Sequence, residues 1–282
     1  MNKDIRKSAI AGSWYPGNPG TLRADIDEFF QHVHEGKIDG QIMGLIAPHA
    51  GYAYSGQIAA YSYSTIRGDK FDAVVVIGPS HRTYFHGVSV YGKGGYETPL
   101  GVVPVDVSLA NRIMATHDLI SHIPAAHLQE HSVEIQLPFL QVALGDFNFV
   151  PLVMGDQSQH TCEALADSIC AAVEGQKVLV VGSSDLSHFH SYDTAAKLDH
   201  VAISRIRNMD GQGLLVDLGN DACEACGGGP MVVTMMVSKK LGANGAELLK
   251  YANSGDVTGD KKSVVGYVSA VFYKKMRCDL LK

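Results

Sequence analysis

The sequence predicts a single α/β domain, residues 1–282, built on a mixed, mostly parallel sheet with helices on both faces. Three observations predict it. Short β-branched apolar runs alternate with amphipathic segments of helical period. No linker-like, repeated or low-complexity stretch divides the chain. Apolar residues make up 46% of the chain and charged residues 18%, a balance that favours a large core over disorder.

In chain order, Thr21–Val33 is an expected helix. Thr21 is the N-cap candidate, and Leu22, Ile26, Phe29, Phe30 and Val33 fall on helical spacing. Ile42–Ala47 is an expected buried strand, Gly56–Ile66 a helix and Phe71–Gly78 a strand closed by Gly-Pro. The alternation and glycines of Gly87–Asp106 suggest a hairpin or meander, hence some antiparallel pairing. Val107–His117 is a helix candidate. Phe147–Gly155 and Lys177–Asp185 are strands, with the amphipathic helix His160–Glu174 between them. Tyr192–Met209 is a helix. Pro230–Leu241 is another, with Pro230 as its first residue, and Ser263–Tyr273 is the last strand. Ser254–Tyr267 is rich in Gly and Asp but lacks the EF-hand ligand spacing, so it reads as a turn into that strand.

Composition excludes several classes of function. The net charge is −6 with no dense Lys/Arg cluster, which argues against a nucleic-acid partner. The apolar runs are far shorter than the ~20 residues that span a bilayer. The first residues carry basic side chains with no apolar run behind them, so no secretory signal is expected. The five cysteines, Cys162, Cys170, Cys223, Cys226 and Cys278, are few and odd in number, which points to reduced thiols and a cytoplasmic location.

The chemistry-bearing residues cluster at the expected strand ends. "IAPHAGY", "IGPSHR" and "VGSSDLSH" each end an apolar run and then place a histidine: His49, His81 and His188. In open α/β sheets ligands sit outside the carboxyl ends of the strands, so these three imidazoles are expected to share a site. Asp185 lies in the same turn as His188. "EHSVEIQLPFL" adds Glu130, His131 and Glu134, with His131 and Glu134 near one face if the segment is helical, although Pro138 restricts a long helix there. "CEACGGGP" places Cys226 before three glycines and a helix start, where N–H dipoles favour a thiolate that serves as nucleophile or metal ligand. Cys223 makes a C-x-x-C with it, which leaves a dithiol reading open. Cys162 and Cys170 lack the spacing to complete a four-cysteine zinc site. Two imidazoles with one anionic oxygen is the arrangement of non-haem Fe(II) oxygenases, and sulfur as the third donor brings Cu(I) and Zn(II) into competition. No P-loop, dinucleotide fingerprint or G-x-S-x-G elbow is present.

Together "AGSWYPG", "APHAGYAYSG", "GPSHR", "TPLG", "EHSVEIQLPFLQ", "GSSDLSH", "ACGGGP" and "NSGDVTGD" resemble the Memo family, whose prokaryotic members are called AmmeMemoRadiSam system protein B. These segments run from Ala11 to about Gly259. The resemblance implies a fold like that of class III extradiol dioxygenases and a metal held by His49, His81 and Cys226. It implies that Asp185, His188 and His131 surround the pocket, with Trp14 and Tyr54 as its aromatic lining and a histidine comparable to His188 as acid/base. The residues themselves add that His188, Asp185 and His131 are the catalytic candidates, with Asp185 orienting His188, and that Glu134 borders the pocket. The cofactor expected is a divalent or redox metal ion, iron or copper ahead of zinc, serving redox or dioxygenase-like chemistry on an unknown small molecule. Two other readings stand beside that one: a non-catalytic module that binds a peptide or protein in the same pocket, and a zinc-type metal-assisted hydrolase. A radical-SAM protein and an AMMECR-type protein are the partners the family name implies. Arg82 departs from the family pattern, where a second histidine is expected, and Cys223 is an addition to it.

Overall fold

The computed structural model of the protein describes residues 4–34 and 38–275, and Cys278 lies outside them. The chain opens with β1 (Ile5–Arg6), α1 (Pro19–Gln31), β2 (Gln41–Ala47), α2 (Tyr52–Ser64) and β3 (Ala73–Pro79). It continues through β4 (Val88–Val90), β5 (Gly95–Thr98), β6 (Gly101–Pro104), α3 (Val107–Met114), β7 (Ile120–Ser121) and α4 (Ala125–Leu128). A 3-10 turn (Glu134–Gln136) leads into α5 (Leu137–Leu144), then β8 (Phe149–Met154), α6 (Gln159–Ala172), β9 (Val178–Ser183) and β10 (His188–His190). The last part is α7 (Tyr192–Arg207), α8 (Gly211–Gly219), α9 (Gly228–Lys240), β11 (Gly245–Asn253), α10 (Ser254–Thr258) and β12 (Val264–Lys274).

The parallel centre of the main sheet is β2-β9-β3-β8. These strands read QIMGLIA, AVVVIGP, FVPLVM and VLVVGS, and apart from Gln41 every residue in them is buried. Continuous apolar runs of this kind belong to strands covered on both faces. The pairs β12–β2 and β4–β8 add antiparallel neighbours, β10 and β11 pair with β12, and β7 pairs with β4 in parallel, which completes a mixed sheet. Helices α1, α2 and α5 pack together on one side, and α6, α8 and α9 on the other. The expected hairpin is divided between two sheets. Strand β4 joins the main sheet, while β5 and β6 form an antiparallel hairpin that takes β1 as a parallel third strand.

Local chemistry shifts several boundaries. Helix α1 is capped by Asn18, whose side chain accepts from Gly20 and Thr21, so Thr21 lies inside the helix. Helix α2 starts at Tyr52, earlier than the apolar pattern suggests. Helix α9 starts at Gly228, so Pro230 is its third residue; a proline lacks only an N–H that the first turn leaves unbonded in any case. Strand β11 and helix α8 are additions to the expected elements. At the head of Ser254–Tyr267, Asn253 as N-cap and Asp256 form a capping box that winds α10 before the turn.

Candidate metal centre

The order β2-β9-β3 sets three loops side by side at the carboxyl edge of the sheet. The β2 loop carries His49, the β9 loop Asp185 and the β3 loop His81. Cys226 arrives from a fourth segment, just before α9. That helix start is fixed by close packing: the Cys226 N–H donates to the Asp185 carbonyl at 3.3 Å, and the Gly227 N–H to Ser184 Oγ at 2.9 Å. A Cβ on Gly227 would sit 2.3 Å from the Ser183 carbonyl oxygen, so only glycine lets the turn approach. Gln157 clamps the same turn, donating to the Cys226 carbonyl and accepting from the Gly229 N–H.

The donor atoms of His49, His81 and Cys226 all lie within 4.8 Å of one another. Cys226 Sγ is 3.0 Å from His49 Nε2. His49 Nδ1 meets Ser183 Oγ at 2.9 Å, and His81 Nδ1 meets Glu130 Oε1 at 3.0 Å. Each imidazole is therefore anchored through Nδ1, which leaves Nε2 as its uncommitted donor, the arrangement that orients metal-ligating histidines. Burial, with the neighbouring imidazoles, lowers the His49 pKa well below the usual range, so the ring is neutral as a ligand must be. Burial and the nearby Asp185 charge push the Cys226 thiol up to about 12. Among the described residues no cation compensates a buried thiolate here, and a bound metal ion would supply one. By donor type, anchoring and protonation, the residues fit a metal ion.

The donor atoms of a second trio, His81, Glu130 and His131, also lie within 4.8 Å of one another. Its carboxylate is already committed. Glu130 accepts from the His81 N–H, from His81 Nδ1 and from the Ser132 N–H. Burial alone would raise its pKa, but these bonds bring it to about 2. Glu130 thus anchors His81, and the first trio is the better donor set.

A cavity of about 450 Å³ opens beside the centre, lined by Trp14, Tyr54, His49, His81, His131, Asp185 and His188 among others. Trp14 packs on His131 with ring centroids 4.3 Å apart, and burial lowers the His131 pKa to about 4. Asp185 is buried, and burial raises its pKa to about 7 against the pull of the His49 and Ala50 N–H groups. Its Oδ1 accepts from the His49 N–H at 2.7 Å, so it braces the His49 loop. The expectation that Asp185 orients His188 is corrected. His188 Nδ1 donates to the Leu186 carbonyl at 2.7 Å, a bond made by its own turn. Glu134 is corrected as a pocket residue: it is fully buried away from the cavity. There it pairs with the Arg6 guanidinium and accepts from Ser8, Tyr15 and the Ala9 N–H. A second cavity, about 670 Å³, lies beyond Cys226 and shares His188 with the first. Cys223 lines it as a free, buried thiol pushed up by burial to about 11.

Among the residues without a sequence-assigned role, Glu130 had one available signal, its place beside His131. Gln157 and the Leu186 carbonyl had none, because the former acts through a fold-dependent clamp and the latter is backbone.

The model of the family described as Memo-like protein matches residues 6–271. The chain belongs to the Memo family. A MEMO1 family protein of Methanobrevibacter smithii is 40% identical over 95% of this chain and 99% of its own length. Relatives with the same family name in Methanothermobacter thermautotrophicus and Saccharolobus solfataricus are each 38% identical, over 93% and 95% of this chain and 98% and 99% of their own lengths. A Memo-family chain of this kind is α/β with a mixed sheet, as the sequence predicts. Among its described residues, no helix is long and apolar enough to cross a membrane.

Proposed function

We propose that this Memo-family protein binds a metal ion through His49, His81 and Cys226 and uses it for redox or dioxygenase-like chemistry on a small molecule in the adjoining cavity. The observation that carries the reading is the convergence of two Nδ1-anchored imidazoles and one thiol from three separate segments. Iron or copper is favoured over zinc for the redox role, and a bound ion of that kind supplies electron transfer to or from the substrate.

The remaining groups have roles of their own. His188 holds its Nδ1 proton on the Leu186 carbonyl, so its Nε2 is the atom that accepts and returns a substrate proton. Its pKa is lowered by burial, which keeps it in the basic form near neutral pH. Trp14 and Tyr54 line the cavity and suit an aromatic or other flat substrate, and the cavity volume suits a small molecule.

The test uses untagged protein. Metal content is measured for the wild type, His49→Ala and Cys226→Ser, and oxygen uptake is followed with Fe(II) and a panel of catechols. The proposal expects near-stoichiometric metal in the wild type, loss in both variants, and uptake that His188→Ala reduces by 10²-fold or more. Equal metal in all three proteins sinks the site. Metal binding with no turnover of any substrate sinks the redox role alone.

A further inference from the structure

We infer that Ser183, held by Gln136, is a positioning residue that fixes His49 as its Nδ1–H tautomer, so that the Nε2 lone pair faces Cys226. The inference deepens the metal reading above and rests on hydrogen bonds that allow one arrangement of protons.

Ser183 Oγ has three polar neighbours. The Ser132 carbonyl oxygen is 2.7 Å away, Gln136 Nε2 is 2.7 Å away and His49 Nδ1 is 2.9 Å away. A carbonyl only accepts, so the single hydroxyl proton of Ser183 goes to Ser132. Gln136 Nε2 also lies 3.1 Å from the Pro48 carbonyl, another pure acceptor, and Gln136 Oε1 lies 2.7 Å from the Tyr63 hydroxyl. That fixes the amide orientation. Its two N–H bonds go to Pro48 and Ser183, and its oxygen accepts from Tyr63. Ser183 has then spent its proton and accepts a hydrogen bond from Gln136. His49 Nδ1 approaches a hydroxyl with no proton left to give, so it must donate its own.

The opposite tautomer has a structural consequence. If Ser183 donated to His49 Nδ1, two oxygens would face each other at 2.7 Å with no proton between them. Tyr63, Ser132, Gln136, Ser183 and His49 are all at most 2% exposed, so bulk solvent cannot rescue the pair. With Nδ1 protonated, Nε2 carries the lone pair, 3.0 Å from Cys226 Sγ. The fold thus prepares the ligand form of His49 before any ion arrives.

The test reads tautomers in metal-free protein. The full chain is labelled with ¹⁵N-histidine, and long-range ¹H–¹⁵N correlations are recorded, with His49 assigned through its own backbone. The expected wild-type result is a pyrrole-type resonance at Nδ1 and a pyridine-type resonance at Nε2. Ser183→Ala is expected to lose that single assignment and Ser183→Thr to keep it. A wild-type His49 protonated at Nε2 overturns the inference, as does a His49 spectrum unchanged in a folded Ser183→Ala. Uptake of Fe(II), Cu(I) and Zn(II) by the same samples separates this inference from the metal reading. Protein that shows the Nδ1–H form yet takes up none of the three ions supports this inference and removes that reading. Protein that binds Zn(II) but rests as Nε2–H removes this inference alone.

Discussion

At the residue scale, the histidines were legible because their chemistry and their place coincide: each follows a short apolar run, and parallel strands end on one edge. Their supports were less so. A side chain that anchors His81 must approach from elsewhere in the fold, and Glu130 lies 49 residues away in sequence. Nothing in the local pattern of "EHS" says that Glu130 turns toward His81 while Glu134, four residues on, turns to Arg6. The Leu186 carbonyl that orients His188 is invisible to any reading of side chains. The anchoring role of Glu130 gives a direct prediction. Glu130→Gln weakens the acceptor for His81 Nδ1 and lowers metal affinity by about 10–100-fold. Competition against a chromophoric Zn(II) chelator measures it, and an unchanged affinity contradicts the role.

At the element scale, the four central strands were readable from continuous β-branched runs, and most helices from their apolar spacing. Strand β11 is not legible in the sequence because its burial alternates weakly and GAELLKYAN also suits a helix; pairing with β12 along its length decides the matter. Helix α8 is short and glycine-bounded, and it forms against α9 and α7 rather than from its own propensity. The approach of α9 to the sheet is also a tertiary fact. A Cβ on Gly182 of β9 would lie 2.5 Å from Thr234 Oγ1 and 2.8 Å from the Pro230 carbonyl oxygen. Gly182→Ala should therefore push the start of α9, and Cys226 with it, off the sheet. The expected cost is about 1–3 kcal/mol of stability, together with weaker metal binding. Urea unfolding and the same chelator competition check both, and a variant that matches the wild type in each would show that α9 has slack there.

At the scale of the whole molecule, buried neutral histidines contribute to the response to acid. His127 is fully buried between Ser89 and Tyr96, and burial with the Arg6 charge lowers its pKa to about 3. The unfolded chain protonates this residue near 6.5, so between about 6.5 and 3 the unfolded state binds more protons. Its contribution is fully present above the unfolded value and is lost as pH falls toward 3, on the order of a few kcal/mol. His127→Gln should flatten the decline of the urea midpoint between pH 7 and 4. An equally steep decline would assign the acid sensitivity to other groups.

The same molecular scale holds the central claim, that one sheet edge and one helix start gather a metal site from segments as far apart in sequence as His49 and Cys226. The most direct measurement is a crystal structure of anaerobically prepared, untagged protein, with anomalous scattering recorded at the iron, copper and zinc edges. The expected result is one strong peak bonded to His49 Nε2, His81 Nε2 and Cys226 Sγ, at the edge of a single element. Metal-replete crystals with no peak among those three atoms would contradict it.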